Sequence, residues 1–121
     1  MEFVDVYPTL CELAGLQLTD GLEGTSFAPL LSNPKQPWKS AAFSQYPRGK
    51  QLMGYAMRTE RYRFVEWAAK GKAPEGLELY DHKTDPDENV NIVNLPENKE
   101  LVAKLTEQLH AGWKAALPPS H

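Results

Sequence analysis

Between Leu52 and Trp67 apolar, aromatic and polar residues interleave with the period that a half-buried sheet requires. Thr59-Glu60-Arg61 interrupts the run and predicts a turn joining two strands. Beyond it, Tyr62, Phe64 and Glu66 share one parity, and Arg61, Arg63, Val65 and Trp67 share the other. Neither face is purely apolar, so one side of the sheet is expected to meet solvent, a ligand or another domain. Ala41 to Tyr46 predicts a strand ahead of this pair, ended by Pro47. Leu77 to Asp81 predicts one behind it, across a Gly/Lys/Pro spacer.

At both ends of the chain the period becomes helical. Phe3 to Leu16 reads as a helix with Asp5 as N-cap, Pro8 in the first turn and Gly15 at the end; Phe3, Val6, Leu10, Leu13 and Ala14 mark its apolar face. So short a helix needs a neighbour to pack on. The last helix opens at Leu95-Pro96-Glu97, where Glu97 and Glu100 suit the positive helix end. Its stripe is Leu101, Val102, Leu105, Leu109, Gly112/Trp113 and Ala116/Leu117, and Pro118-Pro119 stops it. Between the ends lie a Gly-containing loop (17–24), the short apolar turn GTSFAPLL, and the Pro-rich connector NPKQPW, anchored by Trp38. The expected class is α+β: a small antiparallel sheet of about four strands, the C-terminal amphipathic helix across one face, and an N-terminal helix in front. A single domain is expected over 1–121, with helix and linker in 1–37 and sheet plus helix in 38–121.

Composition changes this picture little: 41% hydrophobic and 24% charged residues are ordinary for a globular chain. No apolar run approaches the roughly 20 residues that cross a bilayer. A net charge of −3 argues against a general nucleic-acid binder. The distribution of charge is more informative. Pro47 to Lys72 holds seven basic residues against Glu60 and Glu66, whereas Glu75 to Glu100 holds eight acids against Lys83 and Lys99. A basic sheet beside an acidic loop suits an anionic small molecule or a charged domain interface; two solvated faces that neutralise each other are the plainer reading. The lone Cys11 sits in the helical pattern as a small buried hydrophobe.

VDVYPTLCELAGL, GTSFAPLL, SQYPR, MGYAMRTERYRF and LYDHKTDPDENVN, in that order, resemble the C-terminal part of type I sulfatases, nearest to the iduronate-2-sulfatase-like members. The resemblance runs from Phe3 to Leu117. It implies a parent enzyme, periplasmic or secreted, that hydrolyses sulfate esters of sulfated sugars with a formylglycine made within C/S-x-P-x-R and a calcium ion. None of that machinery is in this chain: Cys11 is followed by Glu-Leu-Ala-Gly, and Asp81-His82-Lys83 lacks the glycine of the family's Asp-His-Gly element. The resemblance therefore implies a C-terminal subdomain, inactive alone, with no cofactor of its own, whose partners are the N-terminal catalytic domain and the sulfated sugar. No nucleic acid or membrane partner is implied. An apolar patch within Phe3 to Leu16 is expected to be exposed and to dimerise the isolated fragment.

Arg48 and Lys50 fall at a strand end set off by Pro47 and Gly49, a position from which charged groups reach a ligand. By resemblance, Tyr46 and Arg48 shape the mouth of the substrate pocket, and Lys50 meets a sulfate or carboxylate. The competing readings are a salt bridge from Arg48 to the catalytic domain and simple exposure of Lys50. Arg58, Arg61 and Arg63 are candidates for a second anion site, against cross-strand pairing. Asp81, Asp85, Asp87 and Glu88 miss calcium-loop spacing and read as a turn bonded to its own backbone. His82, His110 and the terminal His121 have no companion ligand at metal spacing. Two other functions stay open: a stand-alone binding module for sulfated or acidic glycans, and a phosphoesterase of the same superfamily.

Overall fold

The computed structural model describes residues 1–119; His121 lies outside them. The chain forms two compact units, Met1–Lys39 with the segment from Pro118, and Ser40–Leu117.

In the first unit a 3₁₀ turn, Phe3–Asp5, leads into helix α1, Val6–Leu13, and a five-residue helix α2, Ala28–Ser32, follows. Gly15 ends α1 as expected. Its φ of +66° lets the Leu16 N–H reach the Cys11 carbonyl and the Gly15 N–H reach Glu12, which is how a left-handed residue closes a helix. Helical structure therefore stops at Leu13, short of the predicted Leu16. Asp5 also differs from expectation, since its carboxylate makes no cap to α1. Fully buried, it accepts from the Glu2 and Thr25 N–H groups and from the Lys39 ammonium at 2.6 Å. The Thr9 hydroxyl accepts the Phe27 N–H at 3.0 Å, so the GTSF segment is bonded along α1 through side chains. Gly24 is obligatory there: a Cβ would stand 1.9 Å from the Val4 carbonyl oxygen. Cys11 is buried, as its pattern predicted.

The second unit is an open antiparallel sheet in the order β1 (Ala42–Arg48), β2 (Leu52–Arg58), β3 (Tyr62–Ala69), β4 (Pro74–Asp81), followed by helix α3, Lys99–Ala111. The α+β architecture is the expected one. Register aligns Phe43, Met57, Phe64 and Leu79 in one row across all four strands. Leu105 and Leu109 of α3 join that row in the core, and Met57, Phe64 and Leu79 are wholly buried. Thr59 to Arg61 makes the predicted turn, with the Thr59 N–H donating to the Tyr62 carbonyl.

Three boundaries differ from the sequence reading. Pro47 does not end β1, because an edge strand tolerates proline where no ladder N–H is needed; the strand runs to Arg48. For the same reason β4 begins at Pro74, three residues before Leu77. The final helix stops at Ala111 because Gly112 takes a φ of +76°, and Trp113–Ala116 continues as a separate 3₁₀ turn.

The outer edge of β4 is covered by Asn91. Its carboxamide accepts the Leu79 N–H and donates to the Leu77 carbonyl, and the Ile92 N–H donates to the Leu79 carbonyl. A side chain there does what a fifth strand's peptide groups would do.

Candidate functional site

The face of the sheet opposite the Phe64 row carries Tyr46, Gly54, Trp67 and Gly76 in one row, with Arg48 two residues beyond Tyr46. Tyr46 is 69% exposed. The Arg48 guanidinium lies 4.8 Å from the centroid of the Trp67 ring. Trp67 reaches over β2 because Gly54 leaves it room: a Cβ there would stand 2.7 Å from the indole. The indole N–H donates to Glu78 Oε1 at 2.7 Å, and the Tyr80 hydroxyl donates to Glu78 Oε2 at 3.0 Å. Burial, and then the carboxylate of Glu78, push the Tyr80 phenol above its ordinary pKa, so it stays a donor. The structure thus brings Tyr46 and Arg48 together on one face. Lys50 stands apart, exposed in the three-residue turn between Arg48 and Leu52.

The other three arginines are each paired with an oxygen of the protein rather than gathered around one open site. Arg58 donates to the Thr59 carbonyl. Arg61 grips Asp81 through two bonds of 2.8 and 2.6 Å. Arg63 pairs with Glu88 and lies 6.0 Å from the Tyr80 ring. Only the Arg61–Asp81 pair bridges neighbouring strands as expected, while Arg58 bonds the adjacent residue and Arg63 reaches the acidic loop.

The acidic loop is likewise bonded to itself. Asp85 accepts from the Val90 N–H and the Asn89 amide, and Asp81 from the Lys83 N–H. His82 meets Glu88 at 2.6 Å, and His110 meets the buried Glu66 at 2.9 Å. Among the described residues no group of three or more His, Cys, Asp or Glu is placed to hold a metal.

The Arg61 fork holds the Asp81 carboxyl at about 2, against burial that would raise it and with help from the Lys83 N–H. A carboxyl lowered from 3.8 contributes stability above its ordinary range, and loses it as pH falls from about 4 toward 2. In Arg61→Gln the Asp81 carbon resonance should titrate upward, back toward 3.8, and the stability gained between pH 2 and 4 should shrink. An unchanged titration would assign the shift to the Lys83 amide instead.

The family described as N-sulphoglucosamine sulphohydrolase, C-terminal, matches residues 1–115. The chain belongs to that family. A delta 4,5-hexuronate-2-O-sulfatase of Bacteroides thetaiotaomicron is 30% identical over 84% of the chain, but only 21% of its own length is covered. A protein solved in complex with its substrate D-glucosamine-2-N,6-O-disulfate is 27% identical with a TM-score of 0.74, over 91% of this chain and 23% of that one. A phosphonate monoester hydrolase of Agrobacterium radiobacter is 25% identical with a TM-score of 0.70, over 92% and 24%. The chain therefore spans about a fifth to a quarter of the length of these relatives. It is a sulfatase C-terminal region and holds no metal cluster among its described residues.

Calcium and formylglycine do not fit the residues present. Cys11 is buried beside Glu12 without the C/S-x-P-x-R context, and the loop carboxylates are already bonded to amides and Arg61.

From the sequence, Trp67 is one of five strand aromatics, with Tyr55, Tyr62, Phe64 and Tyr80, available to stack a sugar ring or to fill the core; its contacts with Arg48 and Glu78 are not read from sequence alone. The signal lay in register: Gly54 and Gly76 flank Trp67 across the sheet, two absent side chains beside the largest one.

Proposed function

We propose that this chain is the C-terminal domain of a longer, periplasmic or secreted sulfatase acting on sulfated sugars. It completes the fold of an N-terminal catalytic domain, which supplies calcium and the formylglycine nucleophile. Tyr46, Arg48 and Lys50 lie at the rim of the substrate pocket. What carries this reading is the match of residues 1–115 to a C-terminal sulfatase family, in a chain spanning about a fifth of a sulfatase relative's length. The substrate named for the solved relative, a doubly sulfated glucosamine, supports the sugar class. No helix among the described residues is long and apolar enough to cross a membrane.

The surface that meets the catalytic domain is the outward face of the N-terminal helical segment. Phe3 is 95% exposed, Leu10 60%, Leu13 58% and Leu16 63%, a row of apolar side chains that a free surface rarely carries. Residues 1–37 thus act with the catalytic domain, and the same row pairs two copies of the isolated chain.

One comparison tests the whole reading. The coding sequence that precedes this chain should contain C/S-x-P-x-R, and the longer polypeptide should release sulfate from sulfated sugars. In sedimentation the isolated chain should self-associate as concentration rises, and Leu10→Ser with Leu13→Ser should abolish this. An upstream sequence without the motif would overturn the sulfatase assignment, and Ser or Thr at the nucleophile position would move it to the phosphoesterases. A frame beginning at Met1, with sugar binding by the chain alone, would favour the binding module.

A further inference from the structure

Among the four arginines of the chain, Arg48 alone has no oxygen partner among the described residues. Its guanidinium meets Trp67 instead. An arginine stacked on an indole has its plane held, while the N–H donors around its rim stay free. That arrangement suits the two-pronged recognition of a sulfate or carboxylate, and little side-chain freedom is left to lose when the anion arrives.

Trp67 is itself held from three sides. Gly54 gives it space over β2, Glu78 accepts its N–H, and the β3–β4 register shifts between Trp67 and Ala68, the kind of irregularity that re-aims a side chain. Glu78 is fixed in turn by the Tyr80 hydroxyl.

We infer that Trp67 and Glu78 are positioning residues for anion recognition by Arg48: Glu78 orients the indole, and the indole presents the guanidinium to a sulfate group. This rests on the reading of Arg48 as a ligand-contacting residue of the rim, and it assigns to two further side chains the job of holding it. Neither touches the anion. Gly54 belongs to the same device, because any side chain there displaces the ring.

The test uses this chain, with inorganic sulfate as the probe and the Arg48 Nε–H resonance as the reporter. In the native chain sulfate should move that resonance saturably, and Arg48→Lys should remove the response. Trp67→Leu and Gly54→Ala should each weaken sulfate by about three- to tenfold, and should erase the ring-current displacement of the resonance. Glu78 gives the sharper comparison, since loss of its charge alone would strengthen anion binding equally in any neutral variant. Positioning predicts a difference: Glu78→Gln, which keeps an oxygen for the indole N–H, should bind at least as tightly as the native chain. Glu78→Ala should bind several-fold more weakly than Glu78→Gln. Should Trp67→Leu fail to fold, the two Glu78 variants decide the matter alone. Equal affinities in Gln and Ala variants would overturn the positioning role and leave Arg48 as a contact residue. No response of Arg48 to sulfate in the native chain would overturn both.

Discussion

Phe64→Ala should cost the sheet-and-helix unit about 3–5 kcal/mol, enough to lower its denaturation midpoint severely. The ring has no exposed surface, and it sits in the middle of the Phe43–Met57–Phe64–Leu79 row. That row is the floor on which Leu105 and Leu109 rest. Truncation removes the transfer energy of the ring and leaves a cavity. Antiparallel strands on both sides of β3 limit how far the walls can collapse into it. Phe64→Leu keeps most of the volume and should recover more than half of the loss. Guanidinium denaturation followed by far-ultraviolet circular dichroism measures both. A loss below about 1 kcal/mol for the alanine variant would mean that α3 settles into the gap.

The second large effect belongs to the N-terminal unit, and its cause is electrostatic. Lys39→Met should destabilise that unit by about 3–5 kcal/mol, because it leaves the Asp5 carboxylate buried without its countercharge. The Lys39 side chain is 3% exposed and the Asp5 side chain 0%, with the nitrogen 2.6 Å from one carboxylate oxygen and 2.8 Å from that of Glu2. Burial by itself would raise the Asp5 pKa, but the Lys39 ammonium and the N–H groups of Thr25 and Glu2 outweigh it and hold the group below 3.8. Lys39 mirrors this: burial would lower it, yet the two carboxylates hold it above 10.5. The signs follow. The Asp5 contribution is present above the ordinary carboxylate range and fades as pH falls through the lowered value. The Lys39 contribution is present below the ordinary ammonium range and fades as pH rises through the raised one. Protection factors of the α1 amides, with the intrinsic pH dependence of exchange divided out, should therefore be highest across neutral pH in the native chain, and lower throughout in Lys39→Met. Adding Asp5→Asn to that variant removes the unpaired charge and keeps an acceptor for the Thr25 N–H, so protection should partly return. Unchanged exchange in Lys39→Met would show that the Thr25 and Glu2 amides alone neutralise Asp5.

The strands and the last helix were legible because periodicity reports burial, and in this sheet burial is one-sided enough to leave a period of two. The turn at Thr59 to Arg61 was legible for the same reason. The boundaries were not. Pro47 and Pro74 read as breakers because sequence does not say which strand is at an edge, and a proline forbidden in a central strand is harmless there. Gly112 reads as part of an apolar stripe until its positive φ is seen. At the site, Tyr46 and Arg48 were singled out from motif and from their position near a strand end, and the structure places both on one face of the sheet. The contacts of Trp67 with Arg48 and Glu78 were not legible, because they depend on register: which residues lie beside Trp67 is decided by the pairing of β3 with its two neighbours. The ion cluster of Asp5 was hidden in another way. Its partners Thr25 and Lys39 are far along the chain, and a cap was the nearest local explanation.

The three-residue turn between Arg48 and Leu52 has a consequence for how such domains diversify. Sheet pairing is complete by those two residues, and Gly49 carries the positive φ that closes the turn. Anything inserted after Gly49 would lengthen an arm and leave the ladder untouched. Each doubling of a flexible connection costs only about 0.6 kcal/mol in closure entropy. Such an arm could carry a Lys50-like charge several ångströms farther over a neighbouring surface at almost no expense to the fold. In a sheet of this kind the span of the recognising arm and the stability of the body are separate variables, and a change of ligand can be a change of length.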